Sequence, residues 1–215
     1  MPKLRVINFS KSFSGELIIS VPSLDLRSGT YWIKGENGVG KTTFFRSLAG
    51  LIPCKGNVEF SDGISLTQFP IRYRERVSYG EAEPLYPGFL TAKDLIRFVG
   101  NARNSSPLQQ DRLIKKFGID HYFEKPCATC SSGMLKKLSL AIAFLGSPKV
   151  IILDEPLITL DEYAQKTLVG LIGEYIREYE AIVLLSSHQF LESANIHINQ
   201  SFCIKNKMLT VIDPI

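Results

Sequence analysis

No apolar run in this sequence is long enough to cross a bilayer. The longest, residues 138–145, carries Ser139 within it and closes on Gly146, Ser147, Pro148 and Lys149, far short of the roughly 20 residues that a spanning helix needs. The start, Met1-Pro2-Lys3-Leu4-Arg5, leads into no apolar core of signal-peptide length. The expected location is the cytoplasm, with any membrane attachment made through a partner. Cysteine is scarce: Cys54, Cys127, Cys130 and Cys203 are the four. Cys127-x-x-Cys130 has the spacing of half a zinc site, but no second pair or Cys/His cluster lies where a tetrahedral site needs it. Reduced thiols are the expectation. A surplus of one charge is also missing, since the formal net charge is only +4. The densest basic cluster, Arg72, Arg74 and Arg76, is broken by Tyr73 and Glu75 and reads as a solvated face. No nucleic-acid partner is expected, and there is no internal repeat or low-complexity linker.

What is present suits a single globular unit, or one core with a small insertion: 215 residues, 45% hydrophobic and 21% charged. Residues 3–9 and 16–21 read as short strands rich in branched side chains, and residues 30–34 as another that ends at a glycine-rich turn. Residues 41–49 turn helical and stop at Gly50 and Pro53. Residues 57–60 and 64–67 resemble a hairpin around Asp62-Gly63, and residues 76–79 read as a buried strand. Residues 90–145 look mainly helical. Residues 150–153 and 181–185 are apolar, branched runs suited to internal parallel strands, and residues 163–179 have helical periodicity between them. Residues 200–205 and 208–212 close the chain as two strands. This alternation predicts an α/β fold with helices on both faces of the sheet, the middle helices being an insertion.

One segment decides the chemistry. Gly35-Glu36-Asn37-Gly38-Val39-Gly40-Lys41-Thr42, followed by Thr43, satisfies G-x-x-x-x-G-K-[ST] between an apolar strand and a helix. Its glycines let main-chain N–H groups converge on phosphate oxygens, and the following helix offers its positive end to the same anion. Lys41 is predicted to reach the β- and γ-phosphates and the Thr42 hydroxyl to ligate Mg²⁺. A second carboxylate element is expected at the end of another buried strand. Asp154-Glu155 supplies it, with Asp154 holding Mg²⁺ and Glu155 polarising the attacking water. The strand of Asp154 is expected to lie directly beside the strand that leads into the glycine turn.

With these motifs in this order, the chain resembles the nucleotide-binding domain of ABC transporters over nearly its whole length. The resemblance implies a P-loop NTPase (RecA-like) core with an N-terminal antiparallel β subdomain and an inserted α-helical subdomain. Residues 1–84 and 141–215 would form the core with its β subdomain, and residues 85–140 the helical signature subdomain. Phe13 matches the aromatic residue that stacks on adenine. Cys130-Ser131-Ser132-Gly133-Met134 stands where the family carries LSGGQ, so Ser131 and Gly133 would contact ATP held by an opposite subunit; a plain serine N-cap is the structural reading of the same residues. Asp161 matches the loop that passes between two subunits and also suits a helix N-cap. His188 matches the switch histidine on the γ-phosphate.

The resemblance further implies ATP and Mg²⁺ as cofactors, hydrolysis by Lys41, Glu155 and His188, closure of a homodimer or of a heterodimer with a paralogous ATPase, and a separate membrane permease. Two departures stand out. Cys130 and Ser132 replace a leucine and a glycine of the signature. Ala82, flanked by Glu81 and Glu83, stands where the family has a glutamine; Glu81 or Glu83 is the candidate substitute as an oxygen ligand. Residues 84–91 resemble the matching loop of bacterial ABC-2 type exporter ATPases, which points to export. The rival readings are a regulatory half with vestigial hydrolysis and a soluble ABC protein of ribosomes or DNA; one domain and no heptad run argue against the latter.

Overall fold

The structure is a computed structural model, and it describes residues 3–187 and 196–212. Its strands join in one nine-stranded sheet, β4-β1-β2-β9-β8-β3-β7-β6-β5. At one end β1 (Leu4–Phe13) pairs antiparallel with β2 (Glu16–Leu26) and with β4 (Lys55–Phe60). The β1–β2 turn is Ser14-Gly15, both with positive φ (48° and 84°), the backbone twist that suits a tight hairpin. At the other end β5 (Val77–Gly80), β6 (Val150–Leu153), β7 (Ile182–Ser186) and β3 (Gly29–Lys34) run parallel. The strand β8 (Gln200–Lys205) continues parallel to β3 and turns back antiparallel into β9 (Met208–Ile212).

The branched runs become central strands because both faces of the sheet are covered. Along β6, Val150 and Ile152 enter one core, with α1 (Lys41–Leu48) and the β1–β2–β4 layer. Ile151 and Leu153 enter the other, with α3 (Ala92–Ala102), α4 (Pro107–Lys116), α5 (Ser132–Ala143) and α6 (Glu162–Tyr179). The same alternation divides Ile182 and Leu184 from Val183 and Leu185 on β7. The two-residue side-chain period of a strand thus feeds two cores at once. Helices α3, α4 and α5 all fall between β5 and β6 in the chain. The described residues contain no helix long and apolar enough to cross a membrane.

Three expectations change. The strand of Asp154 does not touch the strand entering the glycine turn, because β7 lies between β6 and β3. Strand order is a non-local property that no single segment encodes. The hairpin at Asp62-Gly63 keeps only the Glu59–Ser65 bridge on its return side, as the chain leaves for α2 (Pro70–Glu75), a helix opened by Pro70. Arg72 and Arg74 lie in that helix's last turn, and Arg76 pairs with Asp62 at 2.6 Å. Strand β1 also runs on to Phe13, past a register shift at Lys11/Ser12.

Candidate functional site

The parallel strands end together, and the loops that leave them meet over a cavity of about 180 Å³ lined by Asn37, Gly38, Gly40, Lys41, Thr42, Thr43 and Glu155. The glycine turn is built as its sequence demands. Gly38 and Gly40 have φ of 78° and 111°, in the left-handed region that favours glycine. Gly40 is the N-cap of α1 and gives it no side-chain cap, and no acidic residue stands in the first turn. The N-terminal turn of α1 therefore borders the cavity with no acidic residue of its own, a fit for phosphate. Glu36 and Val39 close the turn through the Val39 N–H to the Glu36 carbonyl, at 3.4 Å. The Lys41 ammonium donates to the carbonyls of Gly35 (2.7 Å) and Glu36 (3.0 Å). Burial lowers its pKa, against the opposing pull of Glu155 and Asp154.

Despite the intervening strand, Asp154 reaches the turn. The Thr42 hydroxyl donates to Asp154 Oδ2 at 2.6 Å. Tyr79, from β5, donates to the same oxygen at 3.2 Å, and burial raises the phenol's pKa well above its usual range. Ser186, at the end of β7, donates to Asp154 Oδ1 at 2.5 Å and accepts the Glu155 N–H at 2.9 Å. The strand between the two motifs therefore braces them. Glu155 is 8% exposed and has φ of 45°. That left-handed backbone is costly for a residue before proline, and it turns Glu155 to the cavity.

These groups fit a magnesium nucleotide. A hydroxyl and one carboxylate are hard oxygen donors held side by side, and Mg²⁺ typically takes one or two protein oxygens and completes its shell with phosphates and water. No cage of three or more His, Cys, Asp or Glu occurs among the described residues.

The other expected residues divide. Ser131 caps α5, its side chain accepting the Met134 N–H at 3.2 Å, and the Met134 thioether faces back to the Ser131 N–H. A Cβ on Gly133 would press on the Thr159 carbonyl at 3.2 Å, so the signature segment packs against the loop before α6. Asp161 caps α6, accepting the Ala164 N–H at 2.8 Å, and also takes the Lys137 ammonium. Phe13, 48% exposed at the hairpin end, lies outside the cavity lining and carries the Lys11 ammonium 4.4 Å from its ring centre. Glu81 is turned to Arg46 at 3.3 Å, and neither it nor Glu83 lines the cavity. His188 lies outside the described residues. A larger open groove of about 1050 Å³ includes Arg76 and Lys149. Those residues precede β5 and β6, so the groove lies at the strand ends away from the carboxylates.

Sequence reasoning missed three members: Tyr79, Ser186 and Lys136. Lys136 is 1% exposed, and burial pushes its pKa down to about 8. Lys136, Ser139, Leu140 and Ala143 form a buried stripe on α5, where a lysine is an anomaly, but Lys137 has the same spacing to buried Leu140, Ala141 and Phe144, so periodicity points to either.

The chain has recognisable relatives among known proteins. The ABC transporter family model matches residues 20–158. The cytochrome c biogenesis ATP-binding export protein CcmA of Histophilus somni is 32% identical over 177 residues, covering 80% of each chain. Its counterpart in Haemophilus influenzae is 30% identical over 200 residues, covering 90% of this chain and 92% of its own. A solved ATP-binding subunit of an ABC transporter superposes with a TM-score of 0.84 at 25% identity, over 98% of this chain and 90% of its own. The chain therefore belongs to the ABC transporter family, as an ATP-binding subunit.

Proposed function

We propose that this chain binds magnesium ATP between its glycine turn and Asp154, hydrolyses it, and thereby drives export through a separate membrane permease. The observation that carries the reading is the 2.6 Å approach of Thr42 to Asp154, beside Lys41 and the uncapped start of α1. Lys41 and the turn amides would neutralise the terminal phosphates, which is most of what phosphoryl transfer asks of a protein. Thr42 and Asp154 would hold the metal, whose chemistry is to offset charge on the phosphate oxygens. Glu155 would orient water in line with the terminal phosphate, and His188 would keep both in register. Phe13 would stack on adenine.

In the same reading, residues 85–140 act as the signature subdomain. Ser131 and Gly133 would meet nucleotide held by a second subunit, identical or paralogous, with Asp161 near that contact. Leu85 and Phe89 are 88% and 80% exposed and offer an apolar seat for the permease. The export direction follows from the relatives' names and from residues 84–91. The deciding experiment is Glu155→Gln in the purified chain. It should retain nucleotide, stop turnover and accumulate an ATP-bound dimer, whereas Lys41→Ala should lose affinity. Hydrolysis at the normal rate by Glu155→Gln would remove Glu155 from the mechanism.

A further inference from the structure

Lys136 has a role that neither the glycine turn nor the carboxylate pair accounts for. An ammonium has three N–H donors, and all three are committed to main-chain carbonyls: Glu81 at 2.7 Å, Ala82 at 3.0 Å and Asp154 at 2.9 Å. Those carbonyls belong to two different segments. Glu81 and Ala82 follow β5, and Asp154 follows β6 immediately before Glu155. The ammonium itself rides on α5, one turn beyond its cap Ser131. The 81–82 segment is tied a second way, by the Arg46–Glu81 pair to α1, the helix that the glycine turn opens. Ala82 has only a methyl side chain, so any coupling through position 82 must run through its backbone.

We propose that Lys136 is a positioning residue of the hydrolytic site, holding the Ser131 helix, the 81–82 segment and the Asp154–Glu155 strand end as one rigid unit. The proposal rests on the magnesium-nucleotide reading above. Space filling alone does not require a lysine here. Methionine would occupy the same stripe without desolvating a charge, but it cannot bridge three carbonyls. Without the bridge, α5 would move independently of Glu155, and a nucleotide bound at the glycine turn would no longer fix where Ser131 sits. A small misplacement of that kind lowers turnover while leaving ground-state binding at the glycine turn intact.

The test uses the full chain with Lys136→Met, Lys136→Gln and Lys136→Arg. It reads the affinity of a fluorescent ATP analogue, kcat and KM, and the ATP-dependent dimer in a Glu155→Gln background by light scattering. Lys136→Met should lower kcat on the order of 10²-fold and weaken the trapped dimer, with affinity and KM changed by no more than about twofold. Lys136→Arg should recover part of the loss, because it restores charge and donors. Lys136→Gln, which keeps two N–H donors, should fall between Met and wild type and carries the test should the Met variant not fold. Wild-type kcat and dimer in Lys136→Met, or in Lys136→Gln as its stand-in, would overturn the proposal. So would losses of affinity and kcat that run in parallel, because those denote general destabilisation. A wild-type chain without affinity for magnesium nucleotide would overturn the underlying reading instead, an outcome seen before any Lys136 variant is compared.

Discussion

Thr42 and Asp154 are 112 residues apart in the chain, yet the hydroxyl of one donates to a carboxylate oxygen of the other at 2.6 Å. Two oxygens brought together from different loops make a metal position only where both loops are fixed, and here each is. Thr42 lies in the first turn of α1. Asp154 is gripped by Tyr79 and Ser186 on either side.

Asp154→Asn keeps the shape and removes the charge. In the wild type, added Mg²⁺ is expected to tighten nucleotide binding. In the variant that gain should fall roughly ten- to hundredfold, the scale of one charge-assisted contact of about 1.5–3 kcal/mol. Titrating a fluorescent ATP analogue with and without Mg²⁺ measures it. An equal Mg²⁺ effect in both proteins would remove Asp154 from the metal site.

Ser186 is fully buried and holds both carboxylate residues, one by its hydroxyl proton and the other through its oxygen. Ser186→Ala leaves the Glu155 N–H and Asp154 Oδ1 short of a partner, a loss of about 1–3 kcal/mol for a buried group. Urea denaturation should show a lower midpoint at unchanged slope, and turnover should fall more than nucleotide affinity. A wild-type midpoint together with wild-type kcat contradicts the brace.

The reach of the sequence was set by locality. The glycine turn was legible because its function depends on residues within eight positions, and β6 and β7 were legible because burial on both faces leaves an unbroken apolar run. The order of those strands was not, so Asp154 was expected one strand nearer to the turn than it stands. Ser186 is indistinguishable by type from Ser187 beside it, and its place at the end of β7 is what brings it to Asp154. Lys136 and Lys137 are identical neighbours, but one turns into the core and the other to Asp161. Helical phase alone does not separate them, because Lys136 is in step with buried Ser139, Leu140 and Ala143, and Lys137 with buried Leu140, Ala141 and Phe144; the packing of α5 decides which one is enclosed. Phe13 was assigned through resemblance, and its exposed ring is clear of the cavity lining.

Tyr73 tests whether the far end of α1 is held independently of the site. Its ring is fully buried against Phe60, and its hydroxyl donates to the Leu48 carbonyl at 2.8 Å, the last residue of the helix. Tyr73→Phe removes one buried hydrogen bond and leaves the packing. The expected cost is about 1 kcal/mol, or about 2–4 °C in Tm for a chain of this size. Nucleotide affinity should be unchanged, since the N-terminal turn of α1 is untouched. A loss of affinity without a loss of Tm would show that the two ends of α1 are coupled.

Asp161 combines two interactions that acid separates from neutral substitution. It caps α6 through the Ala164 N–H and pairs with Lys137 across to α5. Asp161→Ala should cost about 1 kcal/mol, the usual loss of a cap. Asp161→Asn keeps a capping oxygen and should cost less, because an exposed ion pair adds little. The Lys137 hydrogen bond, followed by the Ala164 N–H, holds the Asp161 carboxyl below its ordinary value of 3.8. A carboxyl with a lowered folded pKa stabilises the fold at pH above its unfolded value, and that contribution disappears as pH falls through the folded one. The Tm advantage of wild type over Asp161→Asn should therefore be level between about pH 7 and pH 5 and shrink below 3.8. An advantage that grows on acidification contradicts the pairing, because protonation can only weaken a contact made by the charged form.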